Sequence, residues 1–267
     1  MATKTALITG ASFGFGYEFT KLFAQDGYNL VLVARSENRL EEIAQQHRDK
    51  WGIEVTIIAK DLFLATAPQE IHDEIQSKGI EIDVLVNNAG FGNYGRFSDI
   101  DTEKELNLVQ LNVVAVTHMT RLFLPNMIQR GSGRILNVAS MAAWLPGPYM
   151  ATYFASKAYV LSFTEAIAEE CRGTGVRAMA LCPGVSITEF QKTAQNQSAL
   201  IGKNIPGATM SAEKIANHAF DDLMKEKIVS IPGIGNRLAV QMLKFVPRSL
   251  LRRGVKMFNS SKQINAA

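Results

Sequence analysis

Cysteine is scarce in this sequence: Cys171 and Cys182 are the only two in 267 residues. Two thiols make no disulfide framework and show no metal-ligand spacing, so a reducing compartment is expected. Both read as small buried apolar side chains. Charge of one sign is also scarce. The 28 lysines and arginines and 25 acidic residues leave a net charge of +3 spread along the chain, which excludes a broad nucleic-acid-binding field. No apolar run approaches the roughly 20 residues of a membrane-spanning helix. The stretch after Lys4 is too short for a signal peptide and reads as a strand, so a soluble, cytoplasmic protein is expected. His47, His72, His118 and His218 fall in surface-like helical segments with no cysteine or carboxylate constellation, so no metal is implied. There is no internal repeat and no low-complexity linker.

What is present is apolar side chain, 47% of the residues, enough for one large core. Short β-branched runs at 6–9, 30–34, 55–59, 84–86, 134–138, 176–181 and 228–231 alternate with helical periodicity at 15–26, 37–50, 68–78, 103–129, 150–172 and 212–225. Ser36 and Ser211, each followed by acidic residues, read as helix caps. Strands without polar alternation are buried on both faces. With right-handed crossovers this predicts a single α/β domain: a Rossmann-like, doubly wound parallel sheet with helices on both faces. The catalytic domain is expected over 1–232, including a polar, glycine-containing lid at 184–211. A basic amphipathic extension follows at 233–267.

After the first strand, Thr9-Gly10-Ala11-Ser12-Phe13-Gly14-Phe15-Gly16 opens directly into a helix. Glycines there permit a tight turn and close approach to a pyrophosphate, which a helix N-terminus favours electrostatically. Alone, the loop also fits an ordinary glycine-rich turn. The second strand ends in Ala34-Arg35-Ser36, where dinucleotide folds often place an acid on the adenosine ribose. Here the acid is missing, and Arg35, with Arg39 one turn on, suits a 2′-phosphate, so NADP(H) is preferred over NAD. Tyr153 and Lys157 share one helix face at i and i+4, where an ammonium lowers a phenol's pKa and makes a general acid/base. Alone, that pair also fits a packed tyrosine beside a solvated lysine.

Taken together these residues resemble the short-chain dehydrogenase/reductase family, over the chain from Lys4 to about Ile231. The signatures are Thr9-Gly-x-x-x-Gly-x-Gly16, Asn87-Asn88-Ala89-Gly90, Asn112, Ser140 with Tyr153-x-x-x-Lys157, and Pro183-Gly184-x-x-x-Thr188. The resemblance implies that Ser140 holds a carbonyl oxygen and Tyr153 passes the proton. It further implies that Lys157 binds the nicotinamide ribose and lowers the tyrosine pKa, while Asn112 organises a water-linked relay. Asp61 and Leu62 match the adenine-contacting pair. Gly10, Ser12, Phe13, Gly14, Phe15 and Gly16, Asn88 through Gly90, and Pro183, Gly184, Val185 and Thr188 line the cofactor. Phe15, where the family commonly has isoleucine, is the one departure and is expected to alter packing only. Homo-oligomers are frequent in the family.

Met141, Trp144, Leu145, Met150 and Phe190 are the candidate substrate lining, apolar enough for a hydrophobic ketone or aldehyde, though any of them also fits plain packing. The substrate is a small-molecule carbonyl or alcohol whose identity the sequence leaves open. The alternative, a cofactor-binding sensor or scaffold without turnover, is opposed by the complete set Asn112, Ser140, Tyr153 and Lys157. In the extension, apolar positions mix with Arg237, Lys244, Arg248, Arg252, Arg253 and Lys256. Packing over the pocket or a partner subunit is preferred there to contact with an anionic membrane.

Overall fold

The computed structural model describes residues 3–184, 186–187 and 210–260. Its strands are β1 (Thr5–Thr9), β2 (Asn29–Ala34), β3 (Val55–Ala59), β4 (Val84–Asn87), β5 (Gly133–Val138), β6 (Val176–Leu181), β7 (Ser186–Ile187), β8 (Met210–Ser211) and β9 (Val229–Ser230). The helices are α1 (Gly14–Gln25), α2 (Glu37–Trp51), α3 (Ala67–Ser77), α4 (Thr102–Val109), α5 (Val116–Arg130), α6 (Ala151–Glu170), α7 (Ala212–Met224), α8 (Ile234–Leu243) and α9 (Arg248–Ser260). Seven strands form one parallel sheet in the order β3-β2-β1-β4-β5-β6-β9. The short pair β7-β8, also parallel, was not anticipated.

Successive residues of a strand face opposite sides, so the buried strands feed two cores. Ala6 and Ile8 pack with Phe19 and Phe23 of α1, Leu40 and Ile43 of α2 and Ile215 of α7. Leu7, between them, packs with Ile71 of α3 and Met119 and Phe123 of α5. Burying each phenylalanine contributes about 2–3 kcal/mol. This is the doubly wound arrangement expected, with helices on both faces. Between β1 and β4 the strand order reverses, and a crevice opens at their C-terminal ends, the usual ligand position in such sheets.

The segment 103–129 does not form one helix. Asp101 caps α4 by accepting from the Lys104 N–H at 3.1 Å, and a π-helical stretch, Gln110–Ala115, separates α4 from α5. Periodicity does not reveal such a shift, which changes the hydrogen-bond ladder from i→i+4 to i→i+5. Ser36 makes no side-chain cap, whereas Ser211 accepts from the Lys214 N–H at 3.2 Å. A buried ladder joins sheet to helices: the Asn87 side-chain amide donates to Asn137 Oδ1 at 2.9 Å and Thr120 Oγ1 at 3.1 Å. Asn137 in turn donates to Thr164 Oγ1 at 3.0 Å.

Two expectations for the histidines are corrected. His47 is buried, because α2 turns it against Thr20 of α1 at 2.8 Å. The single Thr20 hydroxyl proton goes to the Tyr17 carbonyl, so His47 Nε2–H is the donor in this contact. Burial, then Lys50 and Lys21, holds the His47 pKa below its ordinary value. His218 does meet a carboxylate, Asp222 Oδ2 at 3.2 Å, which also accepts from Ser230 and pairs with Lys227. No group of metal-ligating side chains is found among the described residues. Both cysteines are buried and unpaired.

Candidate active site

The glycine loop crosses the top of the sheet. Gly10 and Gly14 have left-handed φ of +65° and +58°, which glycine adopts without strain. A Cβ on Gly16 would lie 2.0 Å from the Gly10 carbonyl oxygen, so helix and loop approach closely only with glycine there. Phe13 at the start of α1 supplies no side-chain cap, which leaves first-turn N–H groups open to an anion. Gly16→Ala is therefore expected to weaken NADPH binding at least about tenfold in a fluorescence titration and to lower the melting temperature, because loop and helix must move apart.

Asn88 locks this loop from the neighbouring strand. Its side-chain amide donates to the Thr9 and Gly10 carbonyls at 2.9 and 3.2 Å, and Thr9 Oγ1 accepts from the Asn88 and Ala89 N–H groups. The Asn88 side chain is thus spent on the loop, where direct lining was expected. Phe15 packs into the core below α1. A cavity of about 880 Å³ begins at the loop with Gly10, Ser12 and Phe13. It continues past Ala34, Arg35 and Ser36, then Asp61 and Leu62, and reaches Ala89, Gly90 and Phe91. The open helix terminus, the glycine cradle and this long cleft fit a dinucleotide.

At the far end of the cleft Arg35 lies over the Phe63 ring at 5.4 Å and forms no ion pair among the described residues. Arg39 stacks between Phe13 and Tyr17, at 5.8 and 5.5 Å, and pairs with Glu42 at 2.8 Å. Two cations thus converge beside Ala34, the position where an acid would repel a phosphate. Arg39 is the more committed of the two.

The other end holds the chemistry. Ser140 follows β5, and its Oγ accepts from the Ala142 N–H at 3.1 Å. Tyr153, in the first turn of α6, is half-buried with its hydroxyl hydrogen-bonded to Ser140. Lys157, one turn later, is buried; its Nζ donates to the Val138 carbonyl at 2.8 Å and sits 5.9 Å from the Tyr153 ring centre. Burial raises the Tyr153 pKa, against the opposing hydrogen bond from Ser140, so the phenol remains an acid in the protein alone. Burial also pushes Lys157 down to about 8, opposed by Cys182.

Asn112 lies in the π-helical stretch. Its amide donates to the Phe91 carbonyl at 2.9 Å and to Ser156 Oγ at 3.1 Å, while its Oδ1 accepts from the Phe91 N–H at 3.1 Å. Ser156 donates onward to the Tyr153 carbonyl at 2.7 Å. Both side-chain N–H groups thus position α6 against the loop after β4, and Oδ1 keeps one further acceptor site. Gly90 sits at the centre, where a Cβ would come within 3.0 Å of Asn112 Oδ1 and 3.5 Å of Lys157 Nζ. Thr9 and Asn87 stand inside the quoted signatures without a role of their own there, and Phe91 and Ser156 were not anticipated.

Of the substrate candidates, Met141 and Trp144 lie on a 3-10 turn, Met141–Trp144, with Leu145 closing it. Trp144 packs on Ala139, Val160, Ala180 and Cys182, and Met150 is buried, so both serve packing. Met141 and Leu145 remain half-buried. Tyr149, beside them, holds a φ of +68°, a strained conformation for a non-glycine residue. Pro183 and Gly184 follow β6, with the Pro183 carbonyl accepting from the Met141 N–H at 3.0 Å. Val185, Thr188 and Phe190 lie outside the described residues, as does most of the lid at 184–211.

With this geometry in view, the similarity to known proteins becomes informative. Residues 4–199 match the family model of the short chain dehydrogenases. The chain belongs to that family. Short-chain dehydrogenases bind a nicotinamide cofactor, and the Rossmann-like sheet described above is theirs. The chain is 33% identical over 196 residues to the very-long-chain 3-oxoacyl-CoA reductase of Anas platyrhynchos, covering 71% of this chain but 62% of that enzyme. It thus spans under two thirds of that relative's length. Among solved structures it is similar to the Sphingobium yanoikuyae short-chain dehydrogenase in complex with NADPH. The identity is 28% and the TM-score 0.82, covering 93% of this chain and 95% of that one. The family member from Burkholderia phymatum in complex with NAD has 27% identity and a TM-score of 0.79, covering 90% and 92%. Both cofactors therefore occur among proteins of this shape.

Proposed function

We propose that this protein is an NADPH-dependent reductase of apolar ketones or aldehydes. The observation that carries the reading is the Ser140–Tyr153 hydroxyl pair, with Lys157 buried one turn below and Gly90 facing both Lys157 and Asn112. The cofactor, when bound, supplies the hydride. The chain's own groups handle the oxygen and the proton. Hydride addition to a carbonyl carbon places negative charge on its oxygen, and the Ser140 and Tyr153 hydroxyls donate to that position. Tyr153 then gives up its proton. Its raised pKa keeps it protonated at neutral pH, which suits it as the general acid for reduction.

Lys157 stabilises the phenolate left behind and holds a ribose hydroxyl, which redirects its ammonium from the Val138 carbonyl. Asn112, through Ser156, fixes the first turn of α6 so that Tyr153 stays in line. The open N-terminus of α1 receives the pyrophosphate, and Arg35 with Arg39 receives the 2′-phosphate. The NADPH complex of the Sphingobium relative supports that preference.

An apolar substrate is supported by the half-buried Met141 and Leu145 beside Ser140, and by the duck relative's name as a 3-oxoacyl-CoA reductase. The decisive experiment follows NADPH oxidation with 3-oxoacyl thioesters of increasing chain length, steroid ketones, small diketones and ketoses. Turnover is expected with the apolar carbonyl compounds and not with the sugars. Tight NADPH binding with no turnover on any of them would turn the assignment to a cofactor-binding sensor.

A further inference from the structure

The last two helices leave an unusual surface. Ile234, Leu238 and Met242 form an i, i+4, i+8 stripe on α8, exposed by 76%, 60% and 63%, and Phe245 continues it at 87%. On α9, Leu251 and Val255 are half-buried and Asn259 is buried, while Leu250 and Met257 on the flank stand in solvent. The amide of Asn259 donates to the Pro148 carbonyl at 2.7 Å, and its carbonyl accepts from the Tyr94 hydroxyl. The helix is therefore seated on the body by one end, with its apolar flank uncovered. Of the apolar positions in the extension, Val240 is buried and Leu251 and Val255 are half-buried, while the stripe stands exposed.

The same segment is strongly cationic. Residues 233–267 carry seven lysines and arginines and no acidic residue. Of the 28 basic and 25 acidic residues in the chain, 21 and 25 fall in residues 1–232, which are net acidic by four. Lys244, Arg248, Arg252, Arg253 and Lys256 form no ion pair among the described residues. Exposed large apolar side chains beside unpaired cations, on helices lying along the surface, match the interface of an anionic bilayer in both respects. The apolar stripe enters the acyl boundary and the cations meet lipid phosphates. A second copy apposed through the same face would bring cation against cation.

We propose that helices α8 and α9 dock this protein on anionic lipid membranes. Tyr94, which anchors α9, also lines the cofactor cleft, and α8 packs on the Met141–Trp144 turn beside Ser140. Docking thus brings the carbonyl end of the site to the lipid surface.

The test sediments the full chain with vesicles of phosphatidylcholine alone and of phosphatidylcholine mixed with phosphatidylglycerol, at low and high salt. Binding is expected only with phosphatidylglycerol and weakens as salt rises. Arg252→Glu, Arg253→Glu and Lys256→Glu together should lower the partition coefficient about a hundredfold or more, each cation near the surface contributing about fivefold. Met242→Ser with Phe245→Ser keeps the charge and should lose at least about tenfold. Circular dichroism and melting identify both variants as folded. Equal binding to both vesicle types, or none to either, overturns the proposal. So does a dimer in lipid-free buffer that both variants dissociate, since a second copy then covers the face. The vesicle readout is independent of turnover, so it can fail without touching the reductase reading.

Discussion

Replacing Tyr153 with phenylalanine is expected to lower turnover by about 10²–10⁴-fold while NADPH affinity stays within about twofold of native. The substitution removes one hydroxyl from a half-buried ring and leaves the packing intact. The phenol is hydrogen-bonded to Ser140, and in the proposed reaction its loss removes the proton donor and one of two donors to the developing charge. Lys157→Ala should behave differently. That side chain is buried, donates to Val138 and lies next to Gly90, where it would hold the cofactor's ribose. Both turnover and NADPH affinity should fall, and the melting temperature should drop by several degrees, because a buried methylene stem is lost as well. Stopped-flow NADPH oxidation with fluorescence titration separates the two patterns. Near-native turnover in Tyr153→Phe would remove this residue from the proton-donor role.

The second large effect concerns the cofactor. Ala34→Asp combined with Arg35→Ser should reverse the preference for NADPH over NADH. Arg35 is exposed, stacked on Phe63 and unpaired with any described carboxylate, so its fork is free to take a phosphate. A charge-assisted pair of this kind contributes about 1.5–3 kcal/mol, or roughly 10–150-fold in affinity for NADPH. The new carboxylate at the end of β2 would repel a 2′-phosphate and accept from ribose hydroxyls, which improves NADH binding. Arg39 is left in place; paired with Glu42, it should contribute less than Arg35. The readout is the ratio of dissociation constants for the two cofactors in native and variant proteins. A native ratio near one would discard the 2′-phosphate assignment before any variant is made.

The strands of the main sheet and most helix positions were readable because they depend on local features: β-branched runs, glycines at required turns, helical period and the residues that interrupt it. The glycine loop carries its own reason, since a side chain at Gly16 would strike the Gly10 carbonyl. The Tyr153–Lys157 pair was readable for the same cause, one helix face being set by spacing alone. Segment 103–129 shows where that reasoning stops. A π-helical shift at Asn112 costs a different hydrogen-bond pattern in the middle of a continuous apolar period, and no residue type announces it.

What only the tertiary structure decided is which partners these groups meet across long chain separations. Asn112 reads as a polar site residue, yet Phe91 and Ser156 occupy both of its side-chain N–H groups. Lys157 reads by spacing as a neighbour of Tyr153, and spacing does not reveal that its ammonium also donates to the Val138 carbonyl. His47 reads as a surface residue and is buried because α2 crosses α1 at Thr20. In the C-terminal segment the alternation of apolar and basic residues determined amphipathic helices. Whether the apolar side faced protein or solvent depended on how α9 is seated by Asn259, a contact with Pro148 and Tyr94 more than a hundred residues away. Sequence sets local backbone geometry and the periodicity of a face. The direction in which that face points, and the desolvation each charge undergoes, are properties of the assembled packing.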